Sequence, residues 1–360
     1  MKREKVRVGI IGCGGIANGK HLPALSKIKE VEIVGFCDLI EERAAKAAKE
    51  YGSKNAKVYK DYRELLKDKS IDVVHVCTPN KSHSEISVAA MEAGKHVMCE
   101  KPMAKNAQDA EKMVETAKRT GMKLTIGYQN RFRPDSLHLK EICDRGDLGK
   151  IYCAKAHAIR RRAVPTWGVF LDEEEQGGGP LIDIGTHALD LTLWMMNNYE
   201  PKSVVGTTYH ELAKKKNAAN AWGPWDPKKF TVEDSAFGFI IMKNGATIIL
   251  ESSWALNTLD VGEAQTVLCG TEGGADMQNG LRINGEEFGR LFVKNVAVDL
   301  KGVDFYSGEK LEPQDVEARQ WIEAVINDKD PLVKPQEAFV VTKILDAIYE
   351  SARTGKQVNF

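Results

Sequence analysis

Three side chains have the types and settings that proton and hydride chemistry could use. Lys101 sits in HVMCEKPM, residues 96–103, where a short apolar run gives way abruptly to an acid, a base and a proline. Asp183 and His187 lie four residues apart in GGGPLIDIGTHALDLTLW, so on a helix they share one face at its N-terminal end. A lysine can hydrogen-bond an oxygen on which negative charge develops, and an imidazole near a carboxylate suits general-base catalysis. Pro102 biases Lys101 toward an extended backbone, which narrows the directions its side chain can take. The plain alternatives are an exposed Glu100–Lys101 pair at a strand end, and a helix-start aspartate with a core histidine. A metal could use the Asp183–His187 spacing too, but no third ligand is evident, so no metal is expected.

The elements that must hold these residues follow from the apolar patterns. Up to about residue 125, the β-rich runs VRVGII, VEIVGFC, DVVHVC and KHVMC alternate with Ala-, Lys- and Glu-rich segments of helical period. This is a βαβ series. Its strands need helical crossovers, which predicts a doubly wound parallel sheet with its ligand crevice outside the carboxyl ends of the strands. Lys101 falls at such an end. After KLTIGYQNRFRP the runs lengthen and alternate, as in IYCAKAHAIR, SVVGTTYHEL, SAFGFIIMK, ATIILESSW and AQTVLCGT, with turn signals such as Asn244–Gly245. They predict a largely antiparallel sheet, with helices near 181–196, 314–327 and 336–353. ELAKKKNAANAWGPWDPKKF reads as a long loop.

RVGIIGCGGIANGKH sets Gly12, Gly14 and Ala17 in GxGxxA spacing, directly after a strand and before a helical segment. Gly12 permits the tight turn, Gly14 lets the backbone approach a pyrophosphate, and Ala17 lets the helix pack closely on the sheet. The helix N-terminus then suits phosphate. Asp38 ends VEIVGFCD, where its carboxylate can accept hydrogen bonds from the adenosine ribose. A 2′-phosphate would meet a like charge there, so NAD is expected rather than NADP.

Composition narrows the partners. At 360 residues the chain exceeds what one core usually supports, and 42% hydrophobic residues can fill two. With 51 basic against 51 acidic residues, no strong field steers it toward nucleic acid or anionic membrane. No apolar window reaches the roughly 18 to 20 residues of a membrane span, and MKREKVRVGIIG runs from a charged tip into a strand without signal-peptide character. A soluble, cytoplasmic protein is expected. The seven cysteines form no CxxC pair, so neither disulfides nor a structural zinc site is expected.

Together, the GxGxxA turn, CTPNKSH (residues 77–83), HVMCEKPMA, GYQNRFRP and DIGTHALD resemble the Gfo/Idh/MocA oxidoreductases, over nearly the whole chain. The resemblance implies an α/β protein: an N-terminal Rossmann domain, residues 1–125, then a C-terminal α+β domain, residues 126–360, for substrate binding and oligomerisation. The second domain would carry an open-faced, mostly antiparallel sheet. Hydride transfer between a nicotinamide cofactor and a hydroxyl of a sugar, sugar derivative or cyclitol follows, with Lys101, Asp183 and His187 as the catalytic group. The cofactor set extends to Gly15, Ile16, Thr78, Pro79, Asn80, His83, Glu100 and Lys101. The substrate set comprises Lys101, Arg131, Arg160, Trp167, Asp183 and His187. A cis Lys101–Pro102 bond and a homodimer or homotetramer are also expected.

IRRRAVPTWGVF and the loop bearing Trp222 and Trp225 are where the chain is individual. On a strand Arg160 and Arg162 would share one face and Arg161 the other, so an arginine could meet substrate or line a subunit contact. A tryptophan there could stack on a sugar's apolar face or simply pack down on the fold. Two other functions stand beside the dehydrogenase. One retains NAD tightly and uses transient oxidation to assist glycoside cleavage. The other is a non-catalytic nucleotide-sensing regulator, whose expected sign, a missing lysine or histidine, is not met.

Overall fold

A computed structural model describes residues 5–298 and 312–360; the charged tip, residues 1–4, lies outside the described residues. The chain divides into two compact units, Met1–Gln129 with Leu311–Phe339, and Asn130–Lys310 with Val340–Phe360.

The first unit is built on six parallel strands: β1 (Val6–Ile11), β2 (Val31–Cys37), β3 (Lys57–Tyr59), β4 (Val73–Val76), β5 (His96–Cys99) and β6 (Leu124–Ile126). Their order is β3-β2-β1-β4-β5-β6, so the winding reverses between β1 and β4, where such sheets bind ligands. Strands β1, β2, β4 and β5 are nearly continuous runs of buried Val, Ile, Met and Cys because helices cover both faces. The crossover helix Ala107–Thr120 is delimited by local chemistry: Asn106 accepts the Asp109 N–H at its start, and Gly121 takes a left-handed φ of 70° at its end. The helix Pro313–Ile326 also belongs to this unit, and its Ala318, Trp321 and Ile322 join the core that contains Val8 and Leu25.

Among the described residues the second unit carries nine strands: β7 (Cys153–Ile159), β8 (Pro201–Tyr209), β9 (Ser235–Met242), β10 (Thr247–Ser253), β11 (Gly262–Cys269), β12 (Gly273–Asp276), β13 (Leu281–Glu287), β14 (Arg290–Val296) and β15 (Val358–Asn359). Their order is β14-β13-β12-β11-β7-β10-β9-β8-β15. Only the β7–β10 pairing is parallel; the others are antiparallel. One face is covered by the helix Thr186–Met196 and by the last part of the helix Pro335–Thr354, whose Ser351 Oγ accepts the Gly206 N–H at 3.0 Å. Gly206 and Gly238 make that cover possible, since a Cβ on either would lie 2.7 or 2.6 Å from the Ile348 side chain. Among the described residues the opposite face is open, and Val205 and Phe239 are each 48% exposed on it.

Residues 210–234 form no regular helix or strand, yet they bury Ala213, Trp225, Phe230 and Val232. No described helix is long and apolar enough to cross a membrane.

Candidate active site

At the carboxyl end of β1 the chain makes the glycine turn. Gly12 has φ +91°, and a Cβ there would sit 2.5 Å from the Cys77 carbonyl oxygen, so β1 and the loop after β4 meet closely only because this residue is glycine. At Gly14 and Gly15 an added Cβ meets nothing within 4 Å, so packing inside the chain does not demand these glycines. Their value is an open backbone, which is what a close-lying pyrophosphate needs. Asn18 braces the turn by donating to the carbonyls of Cys13 and Gly14, both at 2.8 Å. Ala17 is fully buried, whereas Ile16 is 42% exposed at the rim. Asp38 is stitched to the same turn: one oxygen accepts the Cys13 N–H (2.8 Å) and the other the Ile40 N–H (2.9 Å). Each oxygen keeps acceptor capacity for a ribose hydroxyl. Gly12, Gly14, Gly15 and Asp38 therefore fit a dinucleotide.

The loop after β4 carries Thr78 and Pro79 into a single turn of 3₁₀ helix, Asn80–Ser82, with Ser82 donating to the Thr78 hydroxyl oxygen at 2.8 Å. His83 corrects the cofactor set inferred from sequence. It is buried, and its ring nitrogens lie 2.8 Å from the carbonyls of Thr78 and Pro102. It straps two loops together.

Glu100 is a second correction. The carboxylate is 5% exposed and faces inward, accepting from Lys20 Nζ (2.7 Å), His21 Nε2 (2.8 Å) and the Lys101 N–H (3.0 Å). Gly127 leaves it room, because a Cβ there would approach its Oε1 to 3.0 Å. Lys20 reaches Glu317 as well, at 2.9 Å, and His21 Nδ1 meets His75 Nδ1 at 2.9 Å. Lys20 and His21 both point inward from a π-helical turn, Ala17–His21, a distortion common at functional sites. Burial alone would raise the Glu100 carboxyl, but Lys20 and His21 draw it well below the usual range. Burial raises Glu317, and burial with the nearby basic groups drives His75 well down, so His75 is neutral. Lys101, whose backbone this cluster anchors, is half-buried and joined to Pro102 by a cis bond.

In the second unit the run Gly177–Gly179 permits approaches no side chain would allow. A Cβ on Gly178 would lie 2.0 Å from the Tyr349 hydroxyl, and one on Gly179 2.2 Å from the Glu233 carbonyl. The helix that follows opens with a π turn, Leu181–Gly185, before the α-helix Thr186–Met196. Asp183 lies in the π turn and His187 in the α-helix, so their four-residue step crosses a change of helix type that apolar periodicity does not register. Gly185 presses this turn onto β10, its Cβ position being 3.0 Å from Ser252 Oγ.

Glu233, 3% exposed, holds the start of the turn. It accepts the Gly179 N–H (2.8 Å), the Leu181 N–H (3.0 Å) and the Tyr349 O–H (2.9 Å). Burial pushes its carboxyl up to about 7 against those donors. Asp183 itself accepts the indole N–H of the fully buried Trp254 at 3.1 Å.

The remaining sequence candidates separate. Arg131 is a correction: it is fully buried, paired through two nitrogens with Asp190 (2.9 and 2.6 Å) and packed on the Trp194 ring, so it stabilises the fold instead of meeting substrate. Trp225 is packed down too, 5% exposed, donating to the Ala213 carbonyl at 3.0 Å. Arg160 lies just beyond β7, clamped by Glu263 at 2.6 and 2.8 Å, with its guanidinium 5.3 Å from the Trp222 ring centre. Burial opposes its charge, but Glu263 and Asp183 together hold it more firmly protonated than usual. Trp167 and Trp222 stay 52% and 44% exposed. Trp254, Glu233 and the Lys20–His21–Glu317 cluster escaped the sequence reading.

A parallel sheet in this order, with a glycine turn after its first strand and an acid directly following its second, defines a dinucleotide-binding fold. The description "Oxidoreductase family, NAD-binding Rossmann fold" matches residues 6–128, and "GFO/IDH/MocA C-terminal domain" matches residues 136–276; the chain belongs to the Gfo/Idh/MocA oxidoreductase family. It is 35% identical over 362 residues to D-glucoside 3-dehydrogenase of Escherichia coli (strain K12), covering 99% of this chain and 98% of that one. Inositol 2-dehydrogenase of Salmonella typhimurium (strain LT2) is 31% identical over 194 residues, 53% of this chain and 55% of its own length. Among solved structures, levoglucosan dehydrogenase in complex with NADH and levoglucosan superposes with a TM-score of 0.84 at 22% identity, covering 99% of each chain. At that identity the likeness concerns the fold.

Proposed function

We propose that this protein oxidises a secondary hydroxyl of a sugar ring, with a D-glucoside as the leading substrate class and NAD as the hydride acceptor. The observation that carries this reading is the 35% identity to a D-glucoside 3-dehydrogenase over 99% of the chain, with Asp183 and His187 on one helical segment and Lys101 at a strand end. Gly12, Gly14, Gly15 and Asp38 would hold NAD, which would supply the redox chemistry as hydride acceptor. His187 accepts the proton of the reacting hydroxyl while hydride leaves the carbinol carbon. Lys101 donates a hydrogen bond to the oxygen as its charge grows, a contribution worth about 10²- to 10³-fold for one such donor. Asp183, oriented by Trp254, bonds the imidazole or a neighbouring hydroxyl.

We also propose a cytoplasmic homodimer or homotetramer. Seven free cysteines support a reducing compartment, and the open sheet face with Val205 and Phe239 supports burial against another copy. The test is NADH formation across a panel of glucosides, free sugars, inositols and uronates. Turnover restricted to inositols or uronates, with none on any glucoside, would overturn the substrate class.

A further inference from the structure

In the second unit, a run of aromatic rings leads away from Asp183 to the surface. Trp254, which donates to Asp183, faces Phe170 at 6.4 Å between ring centres; Phe170 faces Trp167 at 5.8 Å; Trp167 meets Trp222 edge-on at 4.9 Å. The inner ring is fully buried, while the outer two are about half exposed. Arg160 closes the second side of the corner, its guanidinium against Trp222 and locked by Glu263.

The corner is also rigid. Asn220 Nδ2 donates to the carbonyls of Val164 (2.9 Å) and Gly223 (2.8 Å), and its Oδ1 accepts the Val164 N–H (2.8 Å). Thr166 Oγ1 donates to the Trp222 carbonyl (2.7 Å), and the Ala221 N–H donates to the Arg162 carbonyl (3.0 Å). Four of these bonds fix the two tryptophan-bearing segments to each other, and the fifth, Asn220 to Gly223, braces the Trp222 loop itself. Two indoles kept exposed on a backbone this well braced are unusual for side chains that would otherwise gain by burial, and pre-ordering of this kind is what lowers the entropic cost of binding.

We propose that Trp167, Trp222 and Arg160 form a subsite for the aglycone of a glycoside, the group linked through the glycosidic oxygen, and that this aglycone presents a flat apolar face. This rests on the reading above that the substrate is a glucoside. A flat ring stacks on an indole face and gains both apolar burial and the quadrupolar term of aromatic contact. Arg160, paired with Glu263 and bonded to the Ala163 carbonyl, keeps one N–H on each terminal nitrogen for acceptor oxygens at the ring's edge.

The experiment compares kcat/KM for methyl D-glucoside and 4-nitrophenyl D-glucoside, with saturating NAD, in the parent, Trp222→Ala and Trp167→Ala. The parent should prefer the aryl glucoside by about tenfold or more, from the combined burial and stacking of one ring. Each variant should bring that preference to within about threefold of unity, with the change seen mainly in KM. A parent with no aryl preference overturns the subsite, as does a preference that survives both substitutions. Turnover of methyl glucoside reports separately on the glucoside reading. If neither glucoside is turned over, that reading fails, and binding of 4-nitrophenyl glucoside to the NAD-loaded parent and variants by calorimetry decides the subsite: equal affinities, or none, overturn it.

Discussion

The indole of Trp254 donates to Oδ2 of Asp183 across 3.1 Å, from a ring that no solvent reaches. A buried hydrogen bond to a charged acceptor is worth about 1.5 to 3 kcal/mol, so Trp254→Phe should lower kcat by about tenfold or more if Asp183 must be held in one orientation. Because the indole acts through the carboxylate, Trp254→Phe should add little to the loss already caused by Asp183→Asn. Fully additive effects in that double-mutant cycle would separate the two residues.

Lys101→Ala and His187→Ala should fold and bind NAD, yet turn over slowly, by about 10² to 10⁴ for loss of the general base His187 and about 10² to 10³ for loss of the Lys101 donor. The measurements are kcat at saturating NAD and a fluorescence titration of the cofactor. A kcat within about threefold of the parent, far short of that loss, would remove the residue from the chemical step. An unfolded His187→Ala variant would mark that histidine as a core residue.

Asp38 places its carboxylate beside the glycine turn, fastened by the N–H groups of Cys13 and Ile40. Like-charge contact with a 2′-phosphate costs several kcal/mol. NAD should therefore exceed NADP in kcat/KM by a wide margin; equal values would dismiss the role assigned to Asp38.

Lys20 is the ammonium that bonds both Glu100 and Glu317 in a buried cluster. Lys20→Met removes the cation bonded to both carboxylates, leaving Glu100 to His21 and the Lys101 N–H, and should destabilise the first unit by about 3 to 5 kcal/mol. Glu317→Gln, which keeps the Lys20–Glu100 pair, should cost far less, since burial already raises the Glu317 carboxyl. Thermal unfolding of the two variants measures the contrast. Equal losses would mean that the cluster is not organised around its lysine.

Glu233 predicts the sign of a pH effect. Its carboxyl is raised from 4.5 to about 7 in the folded chain by burial, so the folded state holds a proton that the unfolded chain releases earlier. The associated stability is fully present below about pH 4.5 and is lost as pH rises through about 7, up to roughly 3 kcal/mol. Glu233→Gln should flatten this part of the stability–pH curve, read from urea unfolding at several pH values. Parallel curves for parent and variant would show that Glu233 does not titrate there.

Much of the fold was legible because its causes are local. The Val- and Ile-rich runs of the first unit, the GxGxxA turn and the acid ending β2 each declare themselves within a few residues, since strand burial, a positive φ at Gly12 and a strand end are short-range requirements. The helix beginning at Pro335 and the Asn244–Gly245 turn are similarly self-contained.

What each polar side chain does was decided only by tertiary contact. Arg131 and Arg160 both follow apolar strand segments, yet one is sealed onto Asp190, 59 residues away, and the other stands on Glu263, 103 residues away. Trp222 and Trp225 share a loop, yet the second is buried with its indole donating to the Ala213 carbonyl, while the first stays 44% exposed beside Trp167 and Arg160. Glu317 joins Lys20 because the helix Pro313–Ile326 packs with the first unit nearly three hundred residues after the glycine turn. A buried charge needs a partner wherever the chain can supply one, and sequence spacing carries no record of which distant element will do so.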